Sequence, residues 1–258
     1  MRKNAPYLVM GNWKMNPESR KEAKKLFRAV TKVSRRRKPS IVFCPPFPYL
    51  PLMAEERLPT RVFLGSQDCF WEKSGPHTGE VSPTQLKDLK VSYAIVGHSE
   101  RRALGVTDEY VSRKVEAVIK AGLSPVICIG ERERDSNGVY LEFLESQLRY
   151  ALSSVSAAKL TSVVIAYEPI WAIGKSDANA ITGHKLYEIE VFIRRFLTRK
   201  YGKKKAFSVY ILYGGSVSPK NTREILTEGK VDGLLVGRRS RDPESFSAIL
   251  DIVDDLSS

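Results

Sequence analysis

Four short stretches of this 258-residue sequence set polar residues directly after apolar, β-branched runs, where a freely solvated charge is out of place. The first is Gly11-Asn12-Trp13-Lys14-Met15-Asn16. A lysine in that position either snorkels to water or supplies a fixed cation for a phosphate or a developing oxyanion. The second is Val96-Gly97-His98-Ser99-Glu100-Arg101-Arg102. A lone histidine at a strand end is more often structural than catalytic, but His98 lies in a dense polar cluster. A helix N-terminus beside it would disfavour the imidazolium and leave a neutral ring whose N–H can polarise a carbonyl. The third is Ala166-Tyr167-Glu168-Pro169-Ile170-Trp171-Ala172-Ile173-Gly174. A carboxylate that ends a buried run is partly desolvated and becomes a stronger proton acceptor, as a general base requires. No capping box follows Glu168, which argues against a helix-cap role. The fourth is a pair, Tyr213-Gly214-Gly215-Ser216-Val217 and Val236-Gly237-Arg238-Arg239-Ser240. Glycines let backbone N–H groups approach an anion, and a following helix N-terminus adds a favourable dipole.

These stretches need a scaffold that brings them together, and the remaining sequence supplies one. Short apolar runs, read as buried parallel strands, fall at Tyr7–Asn12, Ser40–Cys44, Arg61–Gln67, Tyr93–Gly97, Pro125–Gly130, Ser162–Glu168, Phe207–Tyr213 and Gly233–Gly237. Charged amphipathic stretches alternate with them, among them Ser19–Arg35, Asp108–Ala121, Val139–Ser153, His184–Lys200, Pro219–Glu228 and Pro243–Asp254. Ser218-Pro219 and Asp242-Pro243 read as helix starts, and Gly122 and Gly229 as helix stops. No linker or low-complexity segment interrupts the alternation. The expected fold is therefore α/β, a single (β/α)8 barrel domain spanning residues 1–258. In such a barrel the chemistry lies at the C-terminal ends of the strands, where all four stretches fall. Loops seven and eight are the recurrent phosphate site.

Composition narrows the class of function. The chain is 42% hydrophobic and 28% charged, as in globular proteins. No run approaches the ~20 apolar residues that span a bilayer, and Tyr7–Met10 is too short for a signal-peptide core. No membrane association and a cytoplasmic location are the default expectations. Cys44, Cys69 and Cys128 are odd in number and widely spaced, so neither a disulfide framework nor a zinc site is expected. The net charge of +13 fits an anionic partner or a solvated basic surface. Ser34–Lys38 and Lys200–Lys205 fall where helices end, so their cations are expected to complement helix dipoles and stay in water.

Taken together, Asn12-Trp13-Lys14, His98-Ser99-Glu100-Arg101, Tyr167–Gly174 and Tyr213–Ser216 resemble the signature segments of the triosephosphate isomerase family, in order and on the expected strands. The similarity extends to Gly75–Ser82 and to Cys128-Ile129-Gly130-Glu131, and covers essentially the whole chain. The resemblance implies a TIM-barrel aldose–ketose isomerase of glycolysis and gluconeogenesis that interconverts dihydroxyacetone phosphate and D-glyceraldehyde 3-phosphate. Glu168 would then be the base and neutral His98 the electrophile, a pairing long established for this family rather than read from spacing. Lys14 would hold the phosphate and balance the enediolate, Asn12 would orient substrate oxygens, and Glu100 would position Lys14. Backbone N–H groups at Gly174, Ser216, Gly237 and Arg238 would grip the phosphate. The segment from Pro169 to about Asn179 would form a lid, hydrogen-bonded by Tyr213 when closed. No metal or organic cofactor is implied. A homodimer is, with the loop around Thr78 reaching the Asn12 and Lys14 region of a neighbouring subunit. In a monomer Trp13 and the His77-Thr78 tip would be plain surface features.

Two departures from the family pattern stand out. Gly174 is followed by Lys175-Ser176-Asp177, without the lid's usual second glycine. After strand eight Arg238 replaces a glycine; its N–H remains, but its Cβ demands a negative or only mildly strained φ, and its guanidinium is not expected to bind phosphate. Two other readings compete. A phosphosugar aldolase or indole-glycerol-phosphate type synthase would share the phosphate loops but needs a Schiff-base lysine on a strand or a metal cluster, and no strand interior offers an obvious lysine. A nucleic-acid-binding barrel would need aromatics interleaved with a basic stripe, whereas the basic clusters read as helix ends, so no nucleic-acid partner is expected.

Overall fold

A computed structural model describes residues 6–135, 137–172 and 181–257. Eight parallel strands close into a barrel in sequence order: β1 (Leu8–Asn12), β2 (Ser40–Cys44), β3 (Val62–Ser66), β4 (Tyr93–Val96), β5 (Ser124–Ile129), β6 (Val164–Tyr167), β7 (Tyr210–Tyr213) and β8 (Gly233–Val236). β8 pairs with β1 from Leu8↔Gly233 to Gly11↔Val236, which leaves no open edge. The helices are α1 (Arg20–Val33), α2 (Leu50–Ala54), α3 (Pro83–Asp88), α4 (Ser99–Ala103), α5 (Asp108–Lys120), α6 (Val139–Ala151), α7 (Gly183–Tyr201), α8 (Lys203–Ala206), α9 (Pro219–Thr227) and α10 (Pro243–Asp255).

The side-chain period of two sorts each strand between two apolar layers. Leu8, Met10, Val42, Cys44, Ile95, Val126, Cys128, Val164, Ala166, Leu212 and Leu235 fill one core. Their neighbours Val9, Ile41, Phe43, Ile127, Ile165, Ile211 and Leu234 join the larger core with the buried faces of the helices. Both faces of every strand are covered, hence the continuous apolar runs. Ser218 and Asp242 cap α9 and α10 ahead of their prolines, and Gly122 ends α5 at φ +75°. Gly229 does its work differently. It is not left-handed; a Cβ there would lie 2.4 Å from the Ile225 carbonyl, and the left-handed turn falls on Lys230.

Strand boundaries differ from expectation where local chemistry intervenes. Arg61 adopts φ +66° and donates to the Lys38 carbonyl, so β3 begins after it. Ser162 belongs to a 3-10 turn, Leu160–Ser162, which delays β6. Lys203–Ala206 winds into α8, so β7 begins at Tyr210 rather than Phe207. Two surface expectations are corrected. Trp13 is fully buried within this one chain, packed against Phe27 and Phe43. Arg37 does not stay in water: its guanidinium bridges Asp251 (2.5 Å) and Asp254 (2.9 Å) on α10. Arg194 of α7 binds Glu190, Asp232 and the carbonyls of Ala206 and Val209, joining α7 to the segments that enter β7 and β8. Among the described residues, no helix is long and apolar enough to cross a membrane.

Candidate active site

Asn12 closes β1 and is nearly buried. Its Oδ1 accepts the backbone N–H of Lys14 at 3.0 Å. Lys14 sits at φ +53°, a left-handed conformation that costs a non-glycine residue about 1–2 kcal/mol. Its backbone is held from both sides, because Gln67 Nε2 donates to the Lys14 carbonyl (2.8 Å) and to that of Cys44 (2.9 Å). Thus constrained, the ammonium turns to Glu100, with Nζ 2.5 Å from Oε1. Nothing in the apolar pattern pointed to Gln67 as the clamp.

His98 follows β4 and is itself the N-cap of α4. Its Nδ1 accepts the Glu100 N–H at 3.2 Å. A ring nitrogen that accepts carries no proton, so this hydrogen bond selects the neutral tautomer protonated at Nε2. The Nε2 atom lies 3.4 Å from Glu168 Oε1. Histidine and glutamate are 5% and 2% exposed, so the pair lies in a largely dry environment where electrostatic interactions are strong. Glu168 Oε2 has no hydrogen-bond partner among the described residues.

Two glycines hold the glutamate in place. A Cβ on Gly130 would lie 1.9 Å from the Glu168 carbonyl oxygen, so β5 and the β6 exit can meet only at a glycine. A Cβ on Gly214 would lie 2.7 Å from Glu168 Cγ. The Glu168 N–H donates to the Ile129 carbonyl (2.8 Å), and Gly214 N–H to that of Tyr167 (2.8 Å). Burial and the nearby Glu168 carboxylate push the Cys128 thiol well up, so it remains uncharged beside that carboxylate. Glu131 organises the following turn. Its Oε1 accepts from the Tyr167 hydroxyl (2.8 Å) and Trp171 Nε1 (2.9 Å), and its carbonyl from Ile170 N–H (3.0 Å). Burial and then Glu131 raise the Tyr167 phenol far above its ordinary value, so it stays a donor. The family resemblance includes Glu131 without implying a role for it; an acid three residues past a strand cysteine was the available signal.

Ser216 lies in the turn after β7, with Oγ donating to the Ala172 carbonyl (3.0 Å). The Tyr213 phenol beneath is buried, and burial raises it; its hydroxyl has no hydrogen-bond partner among the described residues. Gly237 lies beside Lys14, since a Cβ there would be 3.8 Å from Lys14 Cε. Arg238 starts a 3-10 turn (Arg238–Arg241) with its side chain exposed, and its φ is outside the left-handed region, so the Cβ is accommodated. Gly174 and Lys175–Asn179 lie outside the described residues. The structure thus brings Asn12, Lys14, His98, Glu100 and Glu168 to one mouth, with Ser216, Gly237 and Arg238 on the loops of β7 and β8.

A cleft of about 350 Å³ opens over Asn12, Lys14, His98 and Glu100 and reaches Gln67, Glu80 and Arg101. In the 67–82 loop that bounds it Phe70 stacks on Trp71 and meets His77 at a tilt, and Thr78 is exposed near its tip. Asp68, at the loop base, takes two bonds from buried Lys114 (2.7 and 2.8 Å) and one from Arg101 (2.8 Å). Among the described residues, no three His, Cys, Asp or Glu side chains converge as metal ligands.

Comparison with known proteins agrees with this geometry. The triosephosphate isomerase family model matches residues 7–253. The triosephosphate isomerase of Thermoanaerobacter pseudethanolicus is 40% identical over 245 residues, covering 94% of this chain and 98% of the relative. That of Trichlorobacter lovleyi is 40% identical over 250 residues, covering 94% and 97%. That of Dictyoglomus thermophilum is 36% identical over 242 residues, covering 93% and 96%. A match of this length and identity, on a closed parallel barrel that gathers the same signature segments, places the chain in the triosephosphate isomerase family.

Proposed function

We propose that this chain interconverts dihydroxyacetone phosphate and D-glyceraldehyde 3-phosphate through an enediolate, serving glycolysis and gluconeogenesis in the cytoplasm. The observation that carries the reading is the buried Glu168 carboxylate, with Oε1 3.4 Å from His98 Nε2 and Oε2 unpartnered among the described residues. Glu168 takes the proton from the carbon next to the carbonyl and returns it to the neighbouring carbon. His98, neutral and protonated at Nε2, donates toward the carbonyl oxygen as charge builds there and shuttles protons between the two enediolate oxygens. Lys14 compensates the phosphate and the enediolate, Asn12 orients the substrate oxygens, and Glu100 positions Lys14 through their 2.5 Å contact. The N–H groups of Gly174, Ser216, Gly237 and Arg238 hold the phosphate. The exposed Thr78 tip supports a homodimer in which that loop reaches the partner's Asn12 and Lys14.

An aldolase-like alternative finds no support. The one lysine buried among the described residues is Lys114 on α5, bound to Asp68, and it does not enter the barrel interior. The test is a coupled assay for glyceraldehyde 3-phosphate formation with the wild type and Glu168→Asp. Shortening the base by about one methylene is expected to lower kcat ~100-fold, with little change in KM. An inactive wild type, or an aspartate variant within threefold of it, would refute the proposal.

A further inference from the structure

We propose that the outward face of α1 is a docking strip for the phosphate backbone of single-stranded nucleic acid, a binding function separate from the isomerase site. Between Arg20 and Lys38 the chain carries ten cations and one carboxylate, Glu22, a formal +9 out of the whole protein's +13. The structure shows that this is more than a basic helix end. Ala23, Phe27 and Val30 face the core, and the opposite face presents Lys21, Lys25, Arg28 and Lys32 in one exposed file that Arg35 continues past the helix C-terminus. At 1.5 Å per residue the file is about 20 Å long.

Three other long helices pair charges of opposite sign along their own length. α5 pairs Lys120 with Glu116 (2.6 Å), α6 pairs Arg149 with Glu145 (3.1 Å), and α7 pairs Arg194 with Glu190 (2.7 Å). On α1 the corresponding neighbours are alike: Lys21 and Lys25, then Arg28 and Lys32, are like-charged pairs four residues apart, an arrangement that weakens a helix. Arg28 meets Glu56 at 3.5 Å, whereas Lys21, Lys25, Lys32 and Arg35 enter no ion pair among the described residues. A helix that accepts this repulsion along its whole length suits an external polyanion. Among the described residues, none of the five cations forms an ion pair with a residue of the active site; Arg28 meets only Glu56.

The chemistry of the strip selects the occupant. A line of cations one side chain wide matches a flexible chain of phosphates, which can follow it along its length. No large apolar side chain is exposed on α1, so the face has no wedge to insert into a bilayer. The expectation of no nucleic-acid partner asked for aromatics interleaved with a basic stripe; this face exposes none, so what it can hold is the phosphate backbone alone, independent of sequence and governed by counterion release.

The experiment measures anisotropy of a labelled 20-nucleotide oligouridylate against the full-length protein. With five phosphates neutralised, log K should fall against log salt with a slope of about −3.5, or roughly 100-fold weaker binding between 50 and 200 mM salt. The variant Lys21→Gln/Lys25→Gln/Arg28→Gln/Lys32→Gln/Arg35→Gln should lose binding and keep its isomerase turnover. A second variant, Lys73→Gln/Lys159→Gln/Lys203→Gln/Lys204→Gln/Lys230→Gln, removes the same charge from scattered exposed sites. It should keep both the slope and most of the affinity. Equal loss in the two variants, no binding at 50 mM salt, or binding to phosphatidylserine vesicles but not to the oligonucleotide would each overturn the proposal.

Discussion

Gly214→Ala tests whether Glu168 acts through its position. The residue is not left-handed, so alanine meets no backbone strain there. The added Cβ would lie 2.7 Å from Glu168 Cγ and 3.1 Å from Oε1, where ordinary contact begins at 3.4 Å. The backbone of residue 214 has little freedom to retreat, because its N–H is bound to the Tyr167 carbonyl at 2.8 Å. The backbone of Glu168 is equally confined, since its carbonyl lies against Gly130 and its N–H is bound to Ile129. The side chain must therefore yield, and the shortfall is about 0.7 Å. Displacements near 1 Å cost a reacting group ~100-fold in rate, or ~2.7 kcal/mol of activation free energy. The coupled assay should thus show kcat lowered about 30- to 100-fold for Gly214→Ala with KM little changed, while thermal unfolding moves by only a few degrees. A kcat within threefold of wild type would mean that Gly214 does not hold the base, and a collapse of folding would mean that the backbone, not the carboxylate, absorbed the clash.

Three further outcomes follow from the same geometry. Arg238→Ala keeps the N–H at the start of its 3-10 turn and removes only an exposed guanidinium, so KM should change less than twofold at physiological salt; a tenfold rise would make the guanidinium a phosphate ligand. Arg194→Leu strands Asp232, Glu190 and two carbonyls without their donor, and should cost ~3–5 kcal/mol, seen as a loss of roughly 10 °C in Tm with kcat at 25 °C unchanged. Asp135 feels some desolvation, but the backbone N–H groups of Tyr140, Val139 and Asn137 outweigh it and hold its carboxyl below the usual value of 3.8. A depressed carboxylate stabilises the fold above its unfolded pKa and ceases to do so as the pH falls through the folded value. The stability gap between wild type and Asp135→Asn in urea titrations should therefore be present at pH 6 and close as the pH drops below about 4; a gap that widens on acidification would contradict this.

How much of this was legible in the residues alone differs by element. The strands were readable because burial on both faces leaves continuous apolar runs, and β2 was read at the observed bounds, Ser40–Cys44. The short helices α2, α3, α4 and α8 were not, because one or two turns carry too little periodicity. α3 carried a local start signal that went unread, the Ser82/Gln85 capping box with Pro83. His98 was read as near a helix N-terminus and proved to be the cap itself. Ser34–Lys38 was read as a helix end and does follow α1, but the basic file along α1 itself was not read, since a stripe appears only when the helical phase is known.

The sequence by itself determined the alternating apolar and amphipathic segments, and with them the barrel class and the strand end on which each polar residue falls. Those features depend on side-chain type at fixed local spacing, which the linear order carries completely. Only the tertiary structure decided that Gln67 clamps Lys14, that Glu131 anchors Trp171, that Gly130 and Gly214 wedge Glu168, and that Trp13 is interior. These are contacts between strands or loops far apart in the chain. They exist because closing the barrel sets a register in which neighbouring backbones approach within van der Waals distance, a condition that no local pattern encodes.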